Sequence, residues 1–486
     1  MSQDDRSRPG NDVTQRKIVA LVFTGMLVLY LLTMNGRIYT PDESQRFRLT
    51  LALLQGELAI GHAPLAYCKY GLLLPAIAAA AIRAKKILTG NVDPASTLFL
   101  ALLVNPAVTA SLCALLYLTV RGFGYQRATA AVLAVLLGTG TPFWSEGRTL
   151  LSEPLTALAV LATYHLLRFG RDDLRLRFPF VAGLALGGAI MERATMGMLA
   201  PFFFAYLLVV SRRGKARKAI AFLAGLMLLL ASIGWYNDAR YGSAFSSAYV
   251  TDPVLRGDGP WSGEWRFSLP ALCFSPGKGL LVSGPVLLLA LIGLPAFAAR
   301  HRRETVFIAL LCAAHILVHA SWWCWWSGAS FGNRFTLIIV PLLLLPAAEV
   351  VQLAARHRRW LVLTLVVAGV SIITQLPAAL CTHTWYYCSI AGPRFLNEPE
   401  MIYGSRHMPL SLFARLAGET VPVLQPDLLL LARETPSVIR YWQLALVALL
   451  LLIVMLVGWS LLRPRGIGLA GTGRQPRFVD NESTRA

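Results

Sequence analysis

Tyr39-Thr40-Pro41-Asp42-Glu43 is the stretch on which the reading of this chain turns. It follows an apolar run, residues 18–34, long enough to cross a bilayer as a helix. Two adjacent carboxylates therefore stand where the chain leaves the membrane. Thr40 suits an N-cap, Pro41 suits the first helical position, and Glu43 falls where a capping box needs its acid. The helix expected from there to Gly56 mixes Arg46 and Arg48 with apolar side chains, the pattern of a helix lying on a membrane surface. The plainer reading is that both acids only cap this helix. Asp42 has no part in the box, however, and a helix N-terminus favours its ionised form. An ionised carboxylate at a membrane rim is what a general base would look like.

Composition sets the class. The chain has 486 residues, of which 56% are hydrophobic and 14% charged, and its mean hydropathy is +0.57. No ordinary soluble domain of that length is so apolar, so the expected fold class is an all-α polytopic membrane protein. The net charge of +20 would suit nucleic acid in a soluble protein. Here the basic residues sit in short loops between apolar runs, which points to membrane orientation and away from nucleic acid. The polar stretch 1–17 precedes a first apolar segment without a small-residue cleavage site, so it reads as the cytoplasmic tail of an uncleaved anchor. The seven cysteines show no Cys-x-x-Cys and no His/Cys ligand spacing, so neither structural zinc nor any other metal or cofactor is expected. Cys381 and Cys388 share one loop and are placed to pair as a disulfide.

Apolar runs at 18–34, 97–120, 128–141, 150–167, 178–191, 195–210, 219–235, 279–299, 305–320, 335–354, 360–376 and 442–462 give about a dozen candidate spans. Arg121 and Arg127, then Arg168 to Arg177, Arg212 to Lys218, Arg300 to Arg303, Arg356 to Arg359, and Arg463 with Arg465 mark alternate loops. Placing all of them in the cytoplasm satisfies the positive-inside rule. The run 72–82, interrupted by Pro75, then lies at the outer interface as an interfacial or re-entrant helix, with Arg83, Lys85 and Lys86 outside. The outer face receives 35–96, 142–149, 192–194, 236–278, 321–334 and 377–441. Residues 18–299 would form a core, 300–462 would add helices, and 463–486 would be a disordered cytoplasmic tail.

The chemistry-bearing residues all fall to that outer face. They are Asp42 and Glu43, Lys69 and Tyr70, Arg148 and Glu153, Glu192 and Arg193, Lys278, and Arg334. Each has a duller reading. Glu192 and Arg193 would decorate a tight turn, Arg148 and Glu153 would form a simple ion pair, Lys278 would be solvated, and Lys69 and Arg334 would snorkel to headgroups. Taken together, acids and bases from separate loops on one membrane surface fit a site for an anionic lipid headgroup, where cations bind phosphate and a carboxylate accepts a proton. The run Trp322-Trp323-Cys324-Trp325-Trp326 reads as an interfacial aromatic belt, or as a platform on which Trp326 packs a sugar ring.

In these features the chain resembles the membrane glycosyltransferases of the C-type fold, in particular the group of dolichyl-phosphate-mannose protein mannosyltransferases and lipid A aminoarabinose transferases. The likeness rests on the acidic pair after the first span, on Lys69-Tyr70 before an interfacial run, on Glu153-Pro154 opening the fourth span, and on the long loop 236–278. It covers roughly the first 300 residues. Cys68 stands where some relatives have an acid, and no large soluble insert is present. The resemblance implies a polyprenyl-phosphate-linked sugar donor, inverting transfer and a site facing away from the cytoplasm, in a multi-pass protein of the bacterial inner membrane. By that resemblance Asp42 is the general base, Lys69 binds the donor phosphate and Glu153 lines a sugar pocket; Arg334 joins as a phosphate ligand from its charge and position. With no insert to bind polypeptide, the expected acceptor is a glycan or lipid, and membrane lipids are the remaining partners. The competing class is a transporter or flippase of a lipid-linked saccharide, which the clean spans and rim-placed charges disfavour. The topology makes one direct forecast. A Lys85→Cys variant should react from the outside with a membrane-impermeant maleimide, and protection there with labelling only from inside would reverse the assignment of residues 72–82.

Overall fold

A computed structural model describes residues 9–34, 36–61, 66–91, 93–171, 175–247, 261–381, 383, 384, 386, 387 and 398–418. The expected span 442–462, the tail 463–486, and Cys388, the candidate disulfide partner of Cys381, lie outside the described residues. Helices run in chain order as α1 (Pro9–Leu32), α2 (Pro41–Gln55), α3 (Leu73–Thr89), α4 (Pro94–Gly122), α5 (Arg127–Thr139), α6 (Phe143–Glu146), α7 (Glu153–Phe169) and α8 (Arg177–Glu192). A 3-10 turn, Ala194–Leu199, leads into α9 (Ala200–Val210) and α10 (Lys215–Tyr241). Then follow α11 (Trp265–Phe274), α12 (Leu280–Ser283), α13 (Leu287–Arg300), α14 (Arg302–Ala320), α15 (Arg334–Leu337), α16 (Val340–Leu343), α17 (Ala347–Ala354), α18 (Arg358–Leu380), α19 (Glu398–Tyr403) and α20 (Pro409–Gly418). An isolated β bridge joins Ala59 and Tyr67.

The chain is an all-helical, multi-pass membrane protein. Five described segments are long and apolar enough to cross a membrane: Val13–Leu32, Ser96–Gly122, Lys215–Tyr241, Arg302–Ala320 and Arg358–Leu380. Three more apolar helices are shorter, Arg127–Thr139, Ala194–Val210 and Leu287–Arg300. The expected span at 335–354 is broken into α15, α16 and α17. Pro341 and Pro346 interrupt its hydrogen bonding, and Ile338, Ile339, Leu342 and Leu345 are buried. Such a broken helix is tolerated at membrane depth where protein surrounds it.

Close packing uses small residues. At the α8–α10 crossing, a Cβ on Gly183 would lie 2.0 Å from the Phe222 carbonyl oxygen, and one on Gly225 would lie 2.1 Å from that of Phe180. Only glycine lets these two backbones approach so far. A second tight contact seats the turn before α3. There a Cβ on Gly71 would meet the Met191 carbonyl oxygen at 2.3 Å. The start of α3 has no local side-chain cap. Glu192, at the end of α8, supplies one across space, accepting the Leu74 N–H at 2.7 Å.

The capping box of α2 forms, with Thr40 as N-cap and Gly56 closing the other end at φ 81°. Its polar stripe faces the protein instead of the membrane surface: Glu43, Arg46 and Thr50 are buried, while Arg48 is exposed. At 17 residues, α7 spans about 25 Å, at 1.5 Å rise per residue, and separates two charged ends. Glu153 opens it at one. Near its far end Arg168 pairs with Glu304 at 2.6 Å. Arg300 pairs with Glu349 at 3.0 Å, and the Tyr125 hydroxyl donates to Glu349 at 2.7 Å. The basic loops thus gather around two acids. Gly183→Ala should lower stability by about 1–3 kcal/mol through overpacking. Gly369→Ala, whose Cβ would meet nothing within 4 Å, should not. Thermal unfolding of the two variants in detergent makes the comparison.

Candidate active site

Asp42 occupies the first turn of α2, fixed by the Thr40 cap and the Pro41 ring. Its two oxygens are both engaged. The Tyr70 hydroxyl donates to Oδ1, and the Arg334 guanidinium donates to Oδ2 at 2.7 Å. The pair is only partly covered, with Asp42 20% and Arg334 15% exposed. Burial alone would raise the Asp42 carboxyl. The Arg334 and Arg46 guanidiniums and the Tyr70 hydroxyl outweigh it and hold the group well below the usual carboxylate range.

Behind this pair stands Glu153, 1% exposed, at the first position of α7. Its Oε1 receives Arg193 and lies 3.6 Å from the Arg334 Nε. Arg193 rests its guanidinium over the Phe335 ring, 4.7 Å from the centroid. The Phe335 carbonyl is held in turn by the His315 Nε2 at 2.9 Å. Arg46 stacks over the Tyr70 ring at 4.1 Å and donates to the Ser152 hydroxyl at 3.1 Å, so it steadies the tyrosine that holds Asp42. The Lys69 ammonium lies 5.1 Å from the same ring. Among the described residues it faces no carboxylate within salt-bridge distance. Its main chain is fixed on two sides: Gln45 accepts the Lys69 N–H at 3.3 Å, and Arg240 donates to the Cys68 carbonyl at 2.6 Å.

The structure thus gathers Asp42, Lys69, Tyr70, Glu153 and Arg334. The other residues nominated from sequence have different neighbours. Glu43 is fully buried, with Oε2 accepting from the Tyr39 and Thr40 N–H groups at 3.1 and 3.0 Å and Oε1 accepting from the Leu150 N–H at 3.1 Å. It ties α2 to the loop before α7, and burial, outweighing these donors, raises its carboxyl. Arg148 does not pair with Glu153. It donates to the carbonyls of Thr33 and Ala378, the latter at 2.6 Å. Lys278 is fully buried instead of solvated and donates to the carbonyls of Gly328, at 2.8 Å, and Ser330. Trp326 is buried in a satellite core with Phe331, Cys381 and Tyr387. Arg193, listed from sequence beside Glu192, holds Glu153, and two residues escaped nomination: Arg46, which positions Tyr70, and Glu146, which is 1% exposed. Charge at a helix end was a signal for Arg193, whereas Glu146 carried none. Among the described residues no three His, Cys, Asp or Glu side chains gather as a metal site.

Comparisons with known proteins bear on this arrangement. Residues 88–236 match the profile of the dolichyl-phosphate-mannose-protein mannosyltransferase family. No curated protein sequence matches the chain. ArnT from Cupriavidus metallidurans, solved bound to undecaprenyl phosphate, superposes with a TM-score of 0.52 at 13% identity, over 82% of this chain and 77% of that one. The apo oligosaccharyltransferase of Archaeoglobus fulgidus superposes at a TM-score of 0.45 and 13% identity, over 89% of this chain and 59% of that one. The likeness to ArnT establishes that this chain has the C-type glycosyltransferase fold.

Glu153→Ala would leave two guanidiniums without their buried counter-charge, a loss of about 3–5 kcal/mol. With Arg193→Ala added, the double variant's loss should fall short of the sum of the two single losses by about 0.5–3 kcal/mol. Additivity in a double-mutant cycle of thermal unfolding would show that the pair is not coupled.

Proposed function

We propose that this chain is an inverting membrane glycosyltransferase. It moves a sugar from a polyprenyl-phosphate donor to a hydroxyl of a glycan or lipid acceptor, on the non-cytoplasmic face of a bacterial inner membrane. The observation that carries this reading is the meeting of an ionised Asp42 with cations from separate loops at one end of the helix bundle. The ArnT structure, which holds undecaprenyl phosphate in a related fold, supports the donor class.

In this reading Lys69 and Arg334 hold the donor phosphate, and Arg193 keeps Glu153 charged beneath them. The acceptor oxygen attacks the anomeric carbon opposite the phosphate, while Asp42 takes the proton of the attacking hydroxyl. The bond between the sugar and the phosphate oxygen breaks, and its electron pair leaves on the phosphate, where the two cations stabilise it. Arg334 has a second part. As long as it grips Oδ2, Asp42 is a weak base. A phosphate that draws the guanidinium off raises the carboxylate's basicity at the moment a base is needed. Donor binding thus precedes base activation.

Mass spectrometry of lipids that co-purify with the protein would identify the donor, and transfer from it would then be assayed. Asp42→Asn should reduce transfer by about 100-fold or more, the range for loss of a general base. It should leave binding of undecaprenyl phosphate intact or tighter, because Arg334 no longer has an anion to release. Near-normal turnover by that variant would remove the mechanism.

A further inference from the structure

Glu146 closes α6, the four-residue helix wedged before the Arg148 loop. It is 1% exposed, and its Oε2 is buried with no hydrogen-bond partner. Glu153 is as deeply buried and uses one oxygen, Oε1, for both of its guanidiniums; its Oε2 likewise has no partner. A buried carboxylate oxygen without a donor is strongly disfavoured, and two neighbouring buried carboxylates cannot both hold charge cheaply. Glu153 has cations that keep it ionised. Among the described residues no cation forms an ion pair with Glu146. Arg334 is engaged by Asp42 and Glu153, and Lys278 donates to the Gly328 and Ser330 carbonyls.

We propose that Glu146 is held as the neutral carboxylic acid and is a positioning residue for the phosphate site, keeping Arg334 available to an anionic ligand. In that state Arg334 answers to two carboxylates. An ionised Glu146 would add a third negative charge to the field acting on that guanidinium, and so weaken its hold on a lipid phosphate.

The charged groups that bear most on Glu146 are Glu153 from α7, Arg334 from α15, Glu43 from α2 and Lys278 before α12. Burial comes first and the Glu153 charge second; Arg334 opposes them, Glu43 adds to them and Lys278 opposes them. Together they push the Glu146 acid up to about 8. The acid is therefore neutral at physiological pH and ionises as pH rises through that value. Affinity for a lipid phosphate should fall over the same interval. The phosphate itself contributes no such fall, because its second ionisation, near about pH 6, is already complete.

Two measurements on the purified full-length protein in detergent test this, and only the second rests on the donor reading above. Infrared spectroscopy should show a carboxylic-acid carbonyl band at neutral pH that is missing from Glu146→Gln and vanishes from the unmutated protein near pH 8. Should that variant fail to fold, Glu146→Ala takes its place, because Glu43 is a second buried acid with a raised carboxyl. No such band overturns the proposal. Binding of undecaprenyl phosphate should weaken about tenfold between about pH 7.5 and about pH 9.5 in the unmutated protein, by proton linkage, and stay flat in Glu146→Gln. Equal weakening in both, or in neither, overturns control of Arg334 by Glu146. Absence of binding at every pH overturns the donor reading and that control together, while the infrared band still decides the proton.

Discussion

One carboxylate oxygen, Glu153 Oε1, carries the arrangement on which everything else in the site depends. An acid buried this deeply keeps its charge only if cations come to it. Arg193 arrives from the end of α8 and Arg334 from the start of α15, two segments far apart in the chain. Arg334 then extends the chain of charges to Asp42, and Asp42 extends it to Tyr70. Glu153 is the buried member, and the later links lie at the partly covered rim of the site. Phe335 supports the network from below, with a ring face for Arg193 and a carbonyl fixed by His315.

The helices exist, in this sense, to bring loop ends together. The crossing of α8 and α10, made possible by Gly183 and Gly225, fixes where α8 stops and so where Arg193 stands. The preceding residue, Glu192, caps α3 and seats the turn that carries Lys69 and Tyr70. Two neighbouring residues at one helix end therefore do separate jobs, one holding a turn and the other holding the central acid.

What could be read from the sequence was what is local. The Thr40–Glu43 box was legible because cap and acid are one turn apart and need no distant partner. The set Asp42, Lys69, Tyr70, Glu153 and Arg334 was legible because charges beside apolar runs are few and all fell to one expected face. Partners were not legible. Arg148 is the nearest cation along the chain to Glu153, yet its donors reach Thr33 and Ala378, and the true partners come from α8 and α15. Hydropathy likewise made 335–354 a single span, since it registers apolar content and passes over the two prolines that break the helix. Arg46 looked like a surface residue because the buried face of α2 is polar. Glu146 ends a four-residue helix that no spacing marks in the sequence, and only burial distinguishes it.

Arg334 is in ionic embrace with Asp42. A phosphate entering such a place does not strip water from a bare cation. In the proposed reaction it takes over a partner, so recognition becomes an exchange between anions in a partly covered site. Attraction of that kind is dulled far less by dissolved electrolyte than attraction between groups on an open surface. It also favours a headgroup of higher charge over a single carboxylate, which could do no more than match the partner it displaces.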